Sequence, residues 1–408
     1  MRVKIFALTS FAALAFAPVQ AATVEETSSA CADSDPNIAI VACSVLIESG
    51  SQSPSDLSRD YNNRGGAFSA RGDYDHAILD LDEAIKLDAG NTGALINRGN
   101  SYGAERQYDR ALDDYNAALR LHPDDSRAFS ARGNIYEQLN EPERALTDYD
   151  SAVGSDSTNI GALISRGIFY RTHGQVDRAI ADFDATVAAR PDFAPAFDNR
   201  GFAYAIQNRY DRAIADYDSA VKLNPHSMVT LYHRGTAWSH KGEPARAVLD
   251  FSRALELAPT NSTLFTSRGD AYQDAGDYDH AIADYDDAVM LDGGNAGAFA
   301  NRGTAFALTG DYARAIVDYN SALKLRPNLP GIGLIAALPT RKAANMAGRF
   351  PISIPRWSAI PTMLSRCSTV VSPKGRWAIR RAPMRILPEP GKSSPISANE
   401  FIREFPCA

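Results

Sequence analysis

Carboxylates are the most evident candidates for chemistry in this sequence, because they recur in short runs around a single large residue. The run Asp148-Tyr149-Asp150 is typical, and equivalent runs return at a fixed interval of 34 residues. Two carboxylates held close together could exchange protons in general acid–base catalysis or bind a divalent cation. Their strict recurrence indicates instead that they belong to a repeated structural unit.

Arginine and aspartate form a second repeated pattern. An Arg stands directly before a Gly in each of eight repeats, and an Asp follows each Arg after sixteen residues. We expect the two to form an ion pair between neighbouring helices; the alternative is two independent solvated charges. An exposed pair would contribute only about 0–1 kcal/mol, whereas a half-buried pair would mainly fix the helix register. The pairs are Arg64 with Asp80, Arg98 with Asp114, Arg132 with Asp148, Arg166 with Asp182, Arg200 with Asp216, Arg234 with Asp250, Arg268 with Asp284 and Arg302 with Asp318.

Histidines offer little further chemistry. His233 and His240 are seven residues apart, which on a helix separates them by roughly 10 Å, too far to share a metal ion. The sequence has no phosphate-binding loop, no serine-nucleophile elbow and no zinc-binding HExxH motif. We therefore predict that the protein is not an enzyme and has no catalytic residue, cofactor or metal ligand.

The repeated residues must be positioned by helices. An aromatic residue stands three positions after each Gly, an Ala twelve positions after it, and a large apolar residue four positions after that Ala. Spacings of three and four place side chains on one helical face, so each repeat holds two amphipathic helices. We expect the Gly and Ala columns to lie where the two helices approach most closely. Eight repeats of 34 residues fill residues 58–329, and their glycines are Gly65, Gly99, Gly133, Gly167, Gly201, Gly235, Gly269 and Gly303.

This pattern resembles the tetratricopeptide repeat family. In the fifth repeat the matching residues are Phe197, Gly201, Tyr204, Ala213, Tyr217, Ala220 and Pro225. The resemblance implies an all-α fold, a right-handed superhelical solenoid of antiparallel helix pairs, in which the first helices line a concave groove. It also implies that the protein binds peptides or proteins rather than catalysing a reaction.

The groove implied by this resemblance is the candidate functional site. Its lining should come from the first helix of each repeat, and its mixture of amide-bearing and apolar residues suits an extended peptide. Tyr232 and Arg171 are the best candidate anchors, because Tyr and Arg dominate binding hot spots; the alternative is that both are ordinary surface residues. The predicted groove residues are Asn134, Gln138, Arg171, Phe202, Tyr232, Thr236, His240 and Asp270.

The N-terminus predicts export. Residues 1–21 combine a short basic start, an apolar core and the small-residue pattern Val19-Gln20-Ala21, which is typical of a cleaved secretory signal of a Gram-negative bacterium. The alternative is a buried N-terminal helix. We therefore predict a periplasmic or secreted protein whose mature chain begins near Ala22.

Residues 22–57 are predicted to cap the first repeat. Asp35-Pro36 is a plausible helix start, and Gly50 can end that helix. Cys31 and Cys43 stand twelve residues apart, one before this helix and one within it. In an oxidising compartment we expect them to form a disulfide, although two unpaired buried thiols are the alternative.

The charge is divided along the chain. Residues 22–330 have a net charge of −18, and residues 331–408 have a net charge of +9 and ten prolines. The acidic repeats disfavour nucleic acid as a partner. For the tail, residues 330–408, three interpretations stay open: a basic arm for an acidic partner or a membrane surface, a disordered segment, or the product of a reading-frame change.

The sequence thus predicts an exported scaffold that binds a peptide or protein segment in the groove. The alternative is an envelope assembly factor whose basic arm contacts an acidic partner or a membrane surface. The oligomeric state is not predicted.

Overall fold

A computed structural model describes residues 24–50 and 52–327. The predicted signal peptide and the predicted tail lie outside these residues. Within them the secondary structure consists of eighteen α-helices without a strand, and no helix combines the length and apolar character needed to cross a membrane. The helices are α1 Val24–Cys31, α2 Pro36–Ser49, α3 Pro54–Ala70, α4 Tyr74–Leu87, α5 Thr92–Ala104, α6 Tyr108–Leu121, α7 Ser126–Gln138, α8 Pro142–Ser155, α9 Ile160–Thr172, α10 Val176–Ala189, α11 Ala194–Ile206, α12 Tyr210–Leu223, α13 Met228–Lys241, α14 Pro244–Leu257, α15 Ser262–Asp274, α16 Tyr278–Leu291, α17 Ala296–Leu308 and α18 Tyr312–Leu325.

The helices form a stack of pairs. Each helix packs against the next helix in the chain, and every odd-numbered helix from α1 to α15 also contacts the next odd-numbered helix. This pattern of neighbour contacts is that of a solenoid, and the predicted all-α class is confirmed. The additional contacts bring the odd-numbered helices, the first of each repeat, close together along one side of the stack.

The N-terminal segment differs in part from the expectation. α2 begins after Asp35, whose side chain accepts a hydrogen bond from the backbone NH of Asn37, and it ends at Gly50, as predicted. Residues 24–31 form an additional helix that was not predicted, so Cys31, which precedes α2 as expected, is also the last residue of a helix. The structure contains a disulfide between Cys31 and Cys43, which joins α1 to α2.

The first repeat also starts earlier than expected. α3 begins at Pro54, four residues before the predicted boundary at residue 58, because Ser53 caps it by accepting a hydrogen bond from the backbone NH of Asp56. Within the repeats, left-handed residues such as Gly72 and Asn208 separate the two helices, with φ of 79° and 59°. These are the loop positions that the sequence indicates.

The repeated glycine allows the two helices of each pair to approach closely. A Cβ atom added at Gly201 would lie 2.8 Å from the Cε1 atom of Tyr217, and one added at Gly99 would lie 2.6 Å from Cε1 of Tyr115. The same contact with a large residue of the second helix recurs in all eight repeats. The glycine column is therefore explained by space rather than by backbone conformation.

The predicted ion pair is confirmed in every repeat. Arg200 donates from Nε to Oδ2 of Asp216 at 2.8 Å and from Nη2 to Oδ1 at 2.6 Å, a bidentate arrangement. The other seven pairs have the same geometry, with distances between 2.6 and 2.9 Å. Each pair joins the two helices of one repeat.

The same arginine also links consecutive repeats. Nη1 of Arg200 donates to Asp184, a residue of the preceding second helix, at 2.7 Å. Each arginine thus joins its own helix to two others, and for the first one, Arg64, the acceptor in the preceding helix is Ser44 of α2 at 2.9 Å. The remaining acceptors are Asp82, Asn116, Asp150, Asp218, Ser252 and Asp286.

Candidate interaction surface

The odd-numbered helices share one face, which we call the inner face. It comprises the residues three positions before and one, four and five positions after each repeated glycine, a spacing that keeps side chains on one side of a helix. The predicted groove residues occupy these positions on α7, α9, α11, α13 and α15. The position directly after the glycine contains six residue types across eight repeats: Gly66, Asn100, Asn134, Ile168, Phe202, Thr236, Asp270 and Thr304.

Tyrosine hydroxyls of the second helices reach the inner face. The Tyr149 hydroxyl donates to Oδ1 of Asn134 at 2.7 Å, and the Tyr285 hydroxyl donates to Oδ1 of Asp270 at 2.8 Å. Equivalent bonds join Tyr115 to Asn100 and Tyr319 to Thr304. Sequence reasoning missed these bonds, although a signal existed: in four repeats a Tyr in the large-residue column coincides with a polar residue after the glycine.

Asn134 and Gln138 lie on α7 and are both exposed. The Asn134 side chain accepts the Tyr149 hydrogen bond through its oxygen, which leaves its NH₂ group facing solvent as a donor. Gln138 is the last residue of its helix. Both amides are therefore available to a partner.

Arg171 and Phe202 are brought together from α9 and α11. The guanidinium carbon of Arg171 lies 4.7 Å from the centre of the Phe202 ring. The Arg171 Nε atom is buried and has no hydrogen-bond acceptor among the described residues. Burial lowers the pKa of the Arg171 guanidinium, and the neighbouring Tyr217 and Asp198 oppose that shift.

His233 connects Phe202 to Tyr232. Its ring centre lies 4.9 Å from that of Phe202 and 6.0 Å from that of Tyr232, and its Nδ1 lies 3.2 Å from Oδ1 of Asp198. Tyr232 is itself half-buried, and burial raises its pKa. A partner would reach only part of its ring, so Tyr232 is less open as an anchor than the sequence suggests.

The remaining predicted residues lie on α13 and α15. Thr236 donates its hydroxyl to the backbone oxygen of Tyr232 at 2.9 Å, and the exposed His240 ring stacks on Tyr210 with 5.3 Å between centres. Asp270 accepts from Asn301 Nδ2 at 2.7 Å as well as from a tyrosine. The inner face thus changes from amides, through aromatic residues and one arginine, to a carboxylate.

A cavity of about 260 Å³ lies at the N-terminal end of the inner face. Asn62 and Asn97 line it from the repeats, and residues 31–34 line it from the disulfide-linked segment. The described residues include no group of His, Cys, Asp and Glu side chains arranged to hold a metal ion.

Comparison with known protein families identifies similarity to one family in four stretches of the repeats. Models of the tetratricopeptide repeat match residues 61–91, 96–160, 196–227 and 266–330. No curated protein matches the chain significantly.

The chain is also similar to solved structures, of which the first named here supports the solenoid architecture. The Cut9–Hcn1 hetero-tetramer of the APC/C contains a chain with a TM-score of 0.53 and 16% identity, covering 78% of this chain and 62% of that one. A tetratricopeptide repeat protein from Parabacteroides merdae has a TM-score of 0.47 and 21% identity, covering 62% of this chain and 98% of its own. YrrB, a tetratricopeptide protein with an unusual peptide-binding site, has a TM-score of 0.33 and 26% identity, covering 46% and 95%.

Proposed function

Because the chain is a tetratricopeptide repeat protein, we propose that it is an exported scaffold for protein–protein interaction that binds an extended segment of a partner along its inner face. One observation carries this proposal. The Arg, Gly, Ala and Asp positions that hold the fold are identical in all repeats, whereas the inner-face position after the glycine contains six residue types. Positions that differ between repeats give each stretch of the inner face its own chemistry, which suits recognition of one particular partner.

The side-chain amides of the inner face favour a partner segment in an extended conformation. Asn134 and Gln138 each carry both donors and an acceptor, as a peptide backbone does, so they can pair with the free NH and CO groups of an extended chain. A helical partner would satisfy those groups internally and would need a continuous apolar stripe instead. The inner face has no such continuous stripe, because repeats three and seven have no apolar residue at its positions.

Export is the second part of the proposal. Residues 1–21 carry the sequence pattern of a secretory signal. The disulfide between Cys31 and Cys43 supports it, since disulfides persist in oxidising compartments such as the bacterial periplasm.

Site-directed photo-crosslinking tests the binding surface directly, because a photoreactive side chain captures whichever protein lies against it. A photoreactive residue at Gln138, exposed on the inner face, should crosslink a partner protein in envelope extract. The matched control places it at Thr147, which is exposed on the second helix of the same repeat. Equal crosslinking from both positions, or crosslinking from Thr147 alone, would contradict binding at the inner face.

A second candidate function uses the basic tail. The net charge of +9 in residues 331–408 favours contact with an acidic partner or an anionic membrane surface. If the tail carries the interaction, deleting residues 331–408 abolishes crosslinking and binding to vesicles containing anionic lipid. If the inner face carries it, the Gln138 crosslink persists after the deletion.

A further inference from the structure

Repeat five breaks the pattern of hydroxyl bonds described above. In four repeats a second-helix tyrosine donates to the residue after the glycine, but in repeat five that residue is Phe202, which cannot accept. The Tyr217 side chain is 1% exposed, and its hydroxyl has no hydrogen bond to any residue in the described part of the chain. Because the equivalent hydroxyls in those four repeats reach the inner face, the Tyr217 hydroxyl is a donor at that face without an acceptor among the described residues.

Arg171 is a second donor in the same place. On the odd-numbered helices α3 to α17, all arginines except Arg171 pair with a carboxylate. Arg171 forms no such pair among the described residues, and its Nε is buried without an acceptor. The Tyr217 ring lies 5.8 Å from the His233 ring, which lies 4.9 Å from Phe202, the ring that the Arg171 guanidinium covers. The Tyr217 hydroxyl also opposes the lowering of the Arg171 pKa by burial.

The acidic residue near this cluster has another partner. Oδ1 of Asp198 lies 3.2 Å from Nδ1 of His233. The Phe202 ring covers one side of the guanidinium. The cluster thus presents two donors, one of them charged, beside an apolar surface.

We propose that Arg171, Tyr217 and Phe202 form a binding site for the side-chain carboxylate of an acidic residue in the partner segment. The carboxylate accepts from the guanidinium and from the tyrosine hydroxyl, and the apolar stem of the residue, or an apolar neighbour, packs on Phe202. Charge-assisted hydrogen bonds of this kind are stronger than neutral ones. This inference rests on the proposed function and adds to it the chemistry of one partner residue.

The test selects peptides rather than assuming a partner. The purified full chain is screened against a random dodecapeptide library displayed on phage, in parallel with Arg171→Gln, Tyr217→Phe and the control Arg212→Gln. Arg212 is exposed on the second helix of repeat five, so its replacement removes the same charge away from the inner face. The Phe variant keeps the ring that packs on Gly201, as Phe183 does in its own repeat.

The wild type and Arg212→Gln should enrich peptides that contain Asp or Glu beside an apolar residue. Arg171→Gln should still select peptides but without acidic enrichment, and Tyr217→Phe should show a weaker enrichment. For a selected peptide made synthetically, changing its Glu to Gln should weaken binding about tenfold or more in the wild type. In Arg171→Gln the same change should alter binding by less than about twofold.

The outcomes separate this inference from the proposed function. Equal acidic enrichment in wild type and Arg171→Gln, or no acidic enrichment in the wild type, would overturn the carboxylate site while leaving peptide binding intact. If the wild type selects no peptide at all, both are overturned. Unchanged far-UV circular dichroism in each variant confirms that a lost preference does not reflect unfolding.

Discussion

Replacing Arg200 by alanine should destabilise the solenoid far more than removing its exposed partner. In Arg200→Ala, Asp216 loses two hydrogen bonds while its side chain remains only 9% exposed. Asp184, at 52% exposure, can bind water instead. Removing one partner of a buried pair costs about 3–5 kcal/mol, whereas an exposed pair contributes about 0–1 kcal/mol. Because the Arg200 side chain is itself 18% exposed, we discount the first figure to roughly 2–4 kcal/mol.

Substitutions of the two carboxylates, alone and combined with Arg200→Ala, measure the interaction energy. Asp216→Ala leaves the arginine one acceptor and access to water, so it should cost less, roughly 1–3 kcal/mol. The double variant Arg200→Ala, Asp216→Ala should cost less than the sum by about 0.5–3 kcal/mol. Asp184→Ala should cost about 0–1 kcal/mol.

An array of eight repeats need not unfold in a single step. The stability of repeat five is therefore read from native-state hydrogen exchange of amides in α11 and α12, with a urea titration of the whole chain beside it. Strict additivity of Arg200→Ala and Asp216→Ala would refute the coupling. If Asp184→Ala lowers the free energy of unfolding as much as Asp216→Ala does, the argument from burial is refuted.

Three further predictions concern other parts of the chain. Gly201→Ala should destabilise the protein by about 1–3 kcal/mol, because the new Cβ would lie 2.8 Å from a Tyr217 carbon. Gly154→Ala, where no atom lies within 4 Å of the added Cβ, should stabilise it by about 0.5–1 kcal/mol. If urea titrations show that both substitutions change the free energy of unfolding in the same direction, the packing argument is contradicted. Burial raises the pKa of Asp60, so its ionised form opposes folding at neutral pH, and Asp60→Asn should raise the free energy of unfolding by about 1–2 kcal/mol at pH 7. That difference should disappear as the pH falls below about 3.9, the unfolded-state value; a constant difference across pH would argue against burial as its cause. N-terminal sequencing of the exported protein should give Ala22 or a neighbour, and an intact initiator methionine in the periplasmic fraction would exclude cleavage.

The helix pairs could be predicted because the Arg, Gly, Ala and Asp residues that build them repeat without variation. The glycine column is recognisable as a place of close helix approach, and the arginine–aspartate pair follows from the fixed spacing of its two columns. Helix α1 could not be predicted, since Val24–Cys31 lacks the periodic apolar residues that indicate a buried face. The arginine bond between repeats was also missed, although its signal is visible in the polar residue two positions after each repeated aspartate.

The candidate site could be predicted only as a set of positions. The sequence places Arg171 and Tyr232 on the correct helices, but their side-chain environments depend on neighbours from other repeats. Tyr232 becomes half-buried, whereas Arg171 lies over Phe202 and forms no ion pair with a carboxylate in the part of the chain that the structure describes. Those contacts arise between helices whose spacing no single repeat encodes.

The hydrogen bond from the arginine of each repeat to the preceding repeat has a consequence for how the number of repeats can change. Each repeat donates one arginine hydrogen bond to the repeat before it and offers one polar acceptor to the repeat after it. The junctions between repeats are therefore alike in this bond. Loss of residues 166–199 would set Arg200 against Asp150, the acceptor that Arg166 now uses. Duplication of a whole unit would likewise create a joint of the existing kind. The array can therefore be lengthened or shortened by gene duplication or deletion in steps of 34 residues, and each new junction keeps the arginine hydrogen bond between repeats.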